Sequence, residues 1–195
     1  MITDGIFSYS WDAENRLAEV RSNDAVVVQN AYDYRSRRVR KATAAATNTF
    51  LYDGWNLVRE DFGGEAAWSR SYVWGLDLSG SLQGAGGVGG LLGLVQGRAN
   101  PPGEPSPDGP LFSFCDANGN VTGLADTNGD VVARYDYDPY GNLIAISGDE
   151  ASANPFRFSS KYWDEETDSY YYGYRFYSPV LGRWPSRDPI EETAE

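Results

Sequence analysis

Apolar and polar residues alternate along most of this chain. Between residues 7 and 62 the strings FSYSWD, LAEVRS, AVVVQNAYDY, RRVRKAT, TNTFLYD and NLVREDF put large apolar or aromatic side chains on one face and polar ones on the other. That period of two predicts successive strands. Turn-formers punctuate them at Asn23-Asp24, around Asn48 and at Asp53-Gly54. The alternation continues through EAAWSRSYVWGLDL (65–78) and resumes at LFSFC (111–115), and no stretch longer than a few residues carries a helical period. An all-β fold of tandem antiparallel hairpins is expected.

One nine-residue pattern occurs twice, as YSWDAENRL (9–17) and YDYDPYGNL (135–143). Tyr9, Trp11 and Asp12 define the first copy, and Tyr135, Tyr137, Asp138 and Gly141 the second. Two aromatics alternate with small or polar residues, an Asp closes the run, a turn-former follows three residues on, and a Leu resumes the apolar face. The cassette core returns at Asp116 (DANGNV) and Asp126 (DTNGDV), so copies start at 116, 126 and 138. That spacing fits a strand plus a turn, and a chain that repeats one hairpin is better suited to a wall than to an active site. The two long copies should adopt the same conformation.

Three segments break the rhythm. RSRRVRK (35–41) is read as alternating outward charges on an edge-type strand, which discourage strand addition, in preference to a nucleic-acid patch. SGSLQGAGGVGGLLGLVQG (79–97) has small-residue spacings that could pack membrane helices, but its apolar run is far short of a span. A glycine-rich strand and loop, packed where backbone approaches something bulky, is the reading preferred, with no membrane insertion. RANPPGEPSPDGP (98–110) is a Pro/Gly-rich loop insertion at a hairpin tip, not a domain boundary. DANGN and DTNGD offer oxygens at the 1, 3, 5 spacing of calcium loops, yet Gly falls at position 4 and no Glu stands at position 12, so they are read as turns and no metal is assigned.

Composition narrows the chemistry. The chain has 195 residues, a single unit or a piece of a larger one, with 14 Tyr, 8 Phe and 6 Trp that suit a pleated surface. Its net charge of −12 repels bare nucleic acid and anionic lipid. Cys115 is the single cysteine and there is no His, which excludes an internal disulfide, a Cys-rich zinc site and His-based catalysis; Cys115 is read as a small buried hydrophobe. No cofactor is implied. MITDGIFSYSW has neither a basic start nor an apolar core, so no signal peptide is read there, and the chain is expected to be a fragment or to begin at an internal start.

The C-terminal third is densest in aromatics. YYYGYRFY (170–177) reads as an aromatic strand broken at Gly173, with Ser178-Pro179 and Gly182 making the next turn. Arg157, Arg175 and Arg183 recur among the rings, which suggests guanidinium-on-ring contacts or buried pairs with Asp164 or Asp168. With YVWGLDLSGSLQGAGGVGGLL, DANGNV, YDPYGN, NPFRFSSKYWDEET, YYYGYRFYSPVLGRW and RDPI in this order, nearly the whole chain outside the Pro-rich loop resembles the core region of the Rhs/YD-repeat family, the shell proteins of bacterial polymorphic toxins.

That resemblance implies a curved antiparallel sheet, part of a spiral shell around a toxin. It implies family-core roles for Gly173, Arg175, Gly182, Arg183, Trp184, Arg187, Asp188 and Pro189, and an extracellular or cell-surface location. Its partners would be the rest of the shell and a C-terminal or separately encoded toxin; a partial strip is also expected to leave at least two long strand edges open for self-association. Many members free the toxin with a pair of Asp residues in Asp-Pro-x-Gly motifs. Here Asp188 is the one catalytic candidate, DPIEE stands where DPIG is expected, and the chain stops before a second motif or a toxin domain. Hydrolysis of that type needs two carboxylates sharing a proton, so residues 1–195 are expected to form a single incomplete core region without enzymatic activity. A carbohydrate-binding or adhesion module built on exposed Trp and Tyr is the alternative reading.

Overall fold

The computed structural model describes residues 2–3, 6–63, 68–98 and 109–186. Thirteen strands pair in chain order: β1 (Ile2–Thr3), β2 (Ser8–Trp11), β3 (Leu17–Ser22), β4 (Ala25–Tyr32), β5 (Arg38–Ala42), β6 (Thr47–Asp53), β7 (Asn56–Phe62), β8 (Trp68–Trp74), β9 (Leu91–Arg98), β10 (Pro110–Cys115), β11 (Val121–Ala125), β12 (Val131–Tyr137) and β13 (Leu143–Ser147). Each runs antiparallel to the one before it. β14 (Tyr162–Asp164), β15 (Ser169–Tyr171) and β16 (Phe176–Tyr177) form a separate three-stranded sheet. Among the described residues the only helical segments are the 3-10 turns Phe158–Ser160 and Glu165–Thr167. The expected all-β meander is the observed fold, and β9 and β10, which flank residues 99–108, are paired.

Pairing is interrupted at a recurring place. The register slips between Ser10 and Trp11, Ala31 and Tyr32, Leu51 and Tyr52, Val73 and Trp74, Phe114 and Cys115, and Asp136 and Tyr137. In each case the second residue is the last or next-to-last of its strand, always at the same rim. A bulge bends its strand and adds right-handed twist, so six along one rim give the sheet a cumulative bend.

The bend is large enough to bring the sheet's ends together. Ser178 shares a cavity of about 20 Å³ with Tyr9 and Trp11 of β2, while the carbonyl of the next residue, Pro179, accepts a hydrogen bond from Asn142 beyond β12 at 3.1 Å. In a flat sheet β2 and β12 would lie roughly 50 Å apart at about 4.8 Å per strand. Two adjacent residues cover no more than about 7 Å, so the sheet curls around residues 153–184, the cap. Tyr9, Leu17, Val20, Val28, Phe50, Leu57, Tyr72, Leu94, Val121, Leu124, Ala133 and Tyr135 on the strands meet Phe156, Tyr162, Tyr171 and Phe176 of the cap in one core.

Two expectations fail. Asn48 lies inside β6 with its side chain buried, and the turn falls at residues 43–46, where Thr43 N–H donates to the Ala46 carbonyl. The basic run is not on an edge: β5 sits between β4 and β6, and Arg38 and Lys41 point into the core at 1% and 5% exposure. Charge reads as outward only while its partner is unseen, and that partner, Asp164, is 126 residues away.

Candidate functional site

The rim that carries the six bulges is built from one turn, repeated. In residues 12–16 one carboxylate oxygen of Asp12 accepts the N–H groups of Glu14 and Arg16, and the other accepts the Arg16 Nε–H at 2.8 Å. Asp33 does the same with Arg35 and Arg37, and Asp116 and Asp138 with Asn118 and Asn120 and with Tyr140 and Asn142. A short side chain that satisfies two backbone donors is the physical reason for Asp at this place. Three residues on, the chain is left-handed, with φ of 58° at Asn15 and 89° at Gly141, the conformation Asn and Gly adopt at least cost. In DANGN one Asp116 oxygen accepts both backbone N–H groups and the other the Asn120 side-chain amide, the hydrogen bonds of a turn.

The aromatic at the slip has a defined partner at four of the six places. Tyr32, Tyr52 and Tyr137 donate their hydroxyls to the carbonyls of Leu17, Arg38 and Val121 at 2.8, 2.9 and 2.7 Å, and Trp74 donates its indole N–H to Leu57 at 2.7 Å. Each acceptor is the first or second residue of the second strand of the preceding hairpin. Burial raises the Tyr32, Tyr52 and Tyr137 phenols above their ordinary value and keeps them protonated donors. Cys115 holds this position in the fifth copy, half-buried, its Sγ 3.9 Å from the Ser160 hydroxyl and its thiol pushed up by burial. Arg16 and Arg37 extend the ladder by donating to the carbonyls of Asp33 and Gly54.

The glycine-rich loop between β8 and β9 replaces the fourth turn. Asp77 organises it by accepting from the Ser79 hydroxyl and N–H and from the N–H groups of Ala85 and Gly87; the Ser79 hydroxyl is the largest influence holding its pKa at about 2. Gln83 clasps the neighbouring turn, accepting from Trp55 N–H and donating to the Asp53 carbonyl. A Cβ on Gly119 would fall 2.8 Å from the Gly89 nitrogen, the close backbone approach expected of this segment.

The cap crosses this rim. Ser159 N–H donates to Asn120, the Lys161 ammonium to the Gly86 carbonyl, the Tyr170 hydroxyl to the Gly141 carbonyl and the Tyr177 hydroxyl to the Tyr140 carbonyl. Below it lies a buried charge cluster. Asp164 accepts from Arg38 at 2.5 Å and Lys41 at 3.1 Å, and Lys41 also reaches Glu166 at 3.0 Å. Glu60, 0% exposed, accepts from Asn48, Tyr72 and Tyr162 at 2.8, 3.0 and 2.6 Å. Burial alone would raise the Asp164 pKa, but Arg38 and Lys41 outweigh it and hold it below the ordinary 3.8. The guanidinium of Arg38 lies within 5.7 Å of the ring centres of Phe50, Tyr162, Tyr171 and Phe176.

Tyr9 and Tyr135 are buried in equivalent positions, each in the core, and Asp12 and Asp138 form the same turn. Gly173 makes a hairpin between β15 and β16, with Tyr172 N–H donating to the Arg175 carbonyl, and not a kink within one strand. Arg175 stacks 4.4 Å from the Trp184 ring and Arg157 lies 5.7 Å from that of Tyr135, but Asp164 pairs with Arg38 and Lys41, not with these arginines. Arg183 bridges to Ser178 around Gly182, which packs against Tyr140. Arg187, Asp188 and Pro189 lie outside the described residues. Sequence reasoning missed Arg38, Lys41, Glu60 and Gln83; strict alternation puts Arg38 and Lys41, three residues apart, on opposite faces, and only the bulge that leaves Val39 unpaired turns both inward. Among the described residues no group of three or more acidic, His or Cys side chains is placed to hold a metal, and no helix is long and apolar enough to cross a membrane.

A family model described as RHS Repeat matches residues 116–152, which span the DANGNV, DTNGDV and YDPYGN cassettes. The chain is 29% identical over 191 residues to the tRNA3(Ser)-specific nuclease WapA of Bacillus spizizenii, covering 96% of this chain and 7% of that protein. It is 28% identical over 196 residues to the toxin subunit YenC1 of Yersinia entomophaga, covering 92% of this chain and 19% of that one. Among solved structures, the Photorhabdus luminescens Tc holotoxin pore shares the fold with a TM-score of 0.73 at 22% identity, over 97% of this chain and 9% of that chain. The chain therefore spans only a small part of the length of these proteins.

Proposed function

We propose, from the premise that this chain is an Rhs/YD-repeat protein, that it is a wall segment of a toxin-delivery shell whose work is containment. The observation that carries this reading is the closure of both ends of a thirteen-strand sheet on one cap. Such a wall satisfies its own backbone hydrogen bonds and seals one rim with side chains. The rest of the shell and a toxin, attached or separate, are the partners, and the cell surface or exterior is the place of action. The open edge of β13, where Ile144 and Ile146 are exposed, is where a neighbouring shell strand or a second copy would add.

The reading assigns this chain no reaction. Its buried carboxylates Glu60 and Asp164 are engaged in structural pairs, and Asp188 is the candidate for passenger release in a longer parent protein. The carbohydrate reading has fewer rings to draw on, because Tyr9, Tyr72, Tyr135, Tyr162, Tyr170 and Tyr171 are buried, which leaves Tyr34, Tyr140 and Tyr174 as the exposed tyrosines among the described residues.

Limited proteolysis of the full-length parent tests containment. The toxin should resist a protease that digests it when free, and should become sensitive in Asp164→Ala while circular dichroism still reports β-structure. Digestion at equal rates in the intact parent and in the free toxin would overturn the proposal.

A further inference from the structure

Between the β6–β7 turn and the cap lies a cavity of about 240 Å³. Its sheet side is formed by Tyr52, Trp55 and Trp74, and its cap side by Tyr162, Tyr172 and Tyr174. The Trp55 and Tyr174 rings stand 4.7 Å apart at 50°, and a Cβ on Gly173 would come 3.1 Å from the Trp55 ring. The walls are thus flat π-surfaces held by a close backbone approach.

Two of the side chains that line this cavity are cationic, Lys161 and Arg38, and the other polar ones are neutral: Asn56, Ser160 and the tyrosine hydroxyls; Arg38 is paired with Asp164 behind the wall. Lys161 gives one proton to the Gly86 carbonyl at 2.6 Å and lies 5.4 Å from the Tyr172 ring centre, and among the described residues no carboxylate pairs with it directly. An ammonium has three donors, so two are left for a ligand or water. Burial pulls Lys161 down to about 8, with Asp77 opposing from a distance, so near neutral pH it is largely charged. Arg38 also lines the cavity, and its buried Nε–H has no hydrogen-bond partner. No Asp or Glu lines it, in a chain of net charge −12.

Aromatic walls, cationic donors and no acid fit a flat ring that bears an anion. The volume lies below the roughly 300–1,000 Å³ of sites for drug-sized ligands, which limits the occupant to a single ring. We propose that this cavity binds a small single-ring aromatic carboxylate, with the ring among Trp55, Trp74 and Tyr174 and the carboxylate toward Lys161. Nothing in the containment role requires such a site, so the two proposals stand or fall separately.

The test titrates the whole chain with 3-phenylpropionate, 3-phenylpropanol and 3-phenylpropylamine, following the indole N–H signals of Trp55 and Trp74 by NMR. The acid should bind saturably, roughly tenfold more tightly than the alcohol, with the amine weakest. Lys161→Gln should bring acid and alcohol to within about twofold, while Lys161→Arg keeps the preference. Tyr174→Ala, at a side chain 57% exposed, should weaken all three ligands and leave the fold intact. Absence of saturable binding at millimolar acid, or an acid preference that survives Lys161→Gln in a folded protein, would overturn the proposal.

Discussion

The sheet and the cap are held by opposite kinds of contact. Along the bulged rim Tyr32, Tyr52, Trp74 and Tyr137 each donate to an acceptor only 14 to 17 residues back, the same bond recurring from hairpin to hairpin. The cap is joined to the sheet by unrepeated bonds across 102, 126 and 133 residues, from Tyr162 to Glu60, Arg38 to Asp164 and Arg38 to Tyr171. Repeated near-neighbour contacts give a strip whose stability grows by increments and whose local losses stay local. Long-range contacts carry the greater loop-closure cost, which favours docking of the cap after the strands have paired. The difference assigns shape to the rungs and closure to the cap.

The largest break in this contrast is Asp164→Ala, which leaves Arg38 and Lys41 buried without their carboxylate. A loss of about 3–5 kcal/mol is expected in chemical denaturation. The pH profile gives the sign. Because the folded Asp164 pKa lies below its unfolded value, its contribution is complete above about pH 5 and is lost as pH falls through the folded value. The gap between wild type and Asp164→Asn should therefore be flat above about pH 5 and narrow in acid; a gap that widened there would contradict the assignment.

Next in size is Gly141→Val, which tests where strip and cap touch. At φ 89° a side chain is strained, and its Cβ would stand 2.7 Å from the Phe158 ring, so about 2–3 kcal/mol should be lost and the Tyr170 contact disturbed. Tyr32→Phe removes one rung bond and should cost about 1 kcal/mol by thermal or urea unfolding. Combined with Tyr137→Phe, the losses should add to within about 0.5 kcal/mol, since the rungs are distant and share no partner. Smallest is Asp126→Ala, in the matching turn of the opposite rim, which no cap residue is seen to cover. A melting temperature within experimental error of wild type is expected; a fall as large as that of Tyr32→Phe would mean the two rims are equally important.

Much of the strip was legible in the sequence because its information is local. Alternation located β2 to β7, and Asn23-Asp24, both left-handed at φ 49° and 62°, is a two-residue hairpin turn. The Asp cassette announced itself by spacing, although only the structure explains why Asp rather than another polar residue stands there. The cap was legible as aromatic and not as closure. Arg38 and Lys41 resemble surface charges until Asp164 is placed against them, and the Asn48 turn was misplaced because an amide that donates to a buried Glu60 looks like a turn-former in isolation. Pairings over more than a hundred residues leave no trace in a window of ten.

Ser178 lies across a small cavity from the second strand and Pro179 bonds Asn142, just before the thirteenth, which makes the cap a gauge of strand number. Inserting or deleting one hairpin would displace one end by roughly 10 Å relative to the other, more than any side chain could absorb. Evolution could vary the exposed faces freely here, but a change of repeat count demands a redesigned closure, so lengthening should be easiest before β2 or beyond β13.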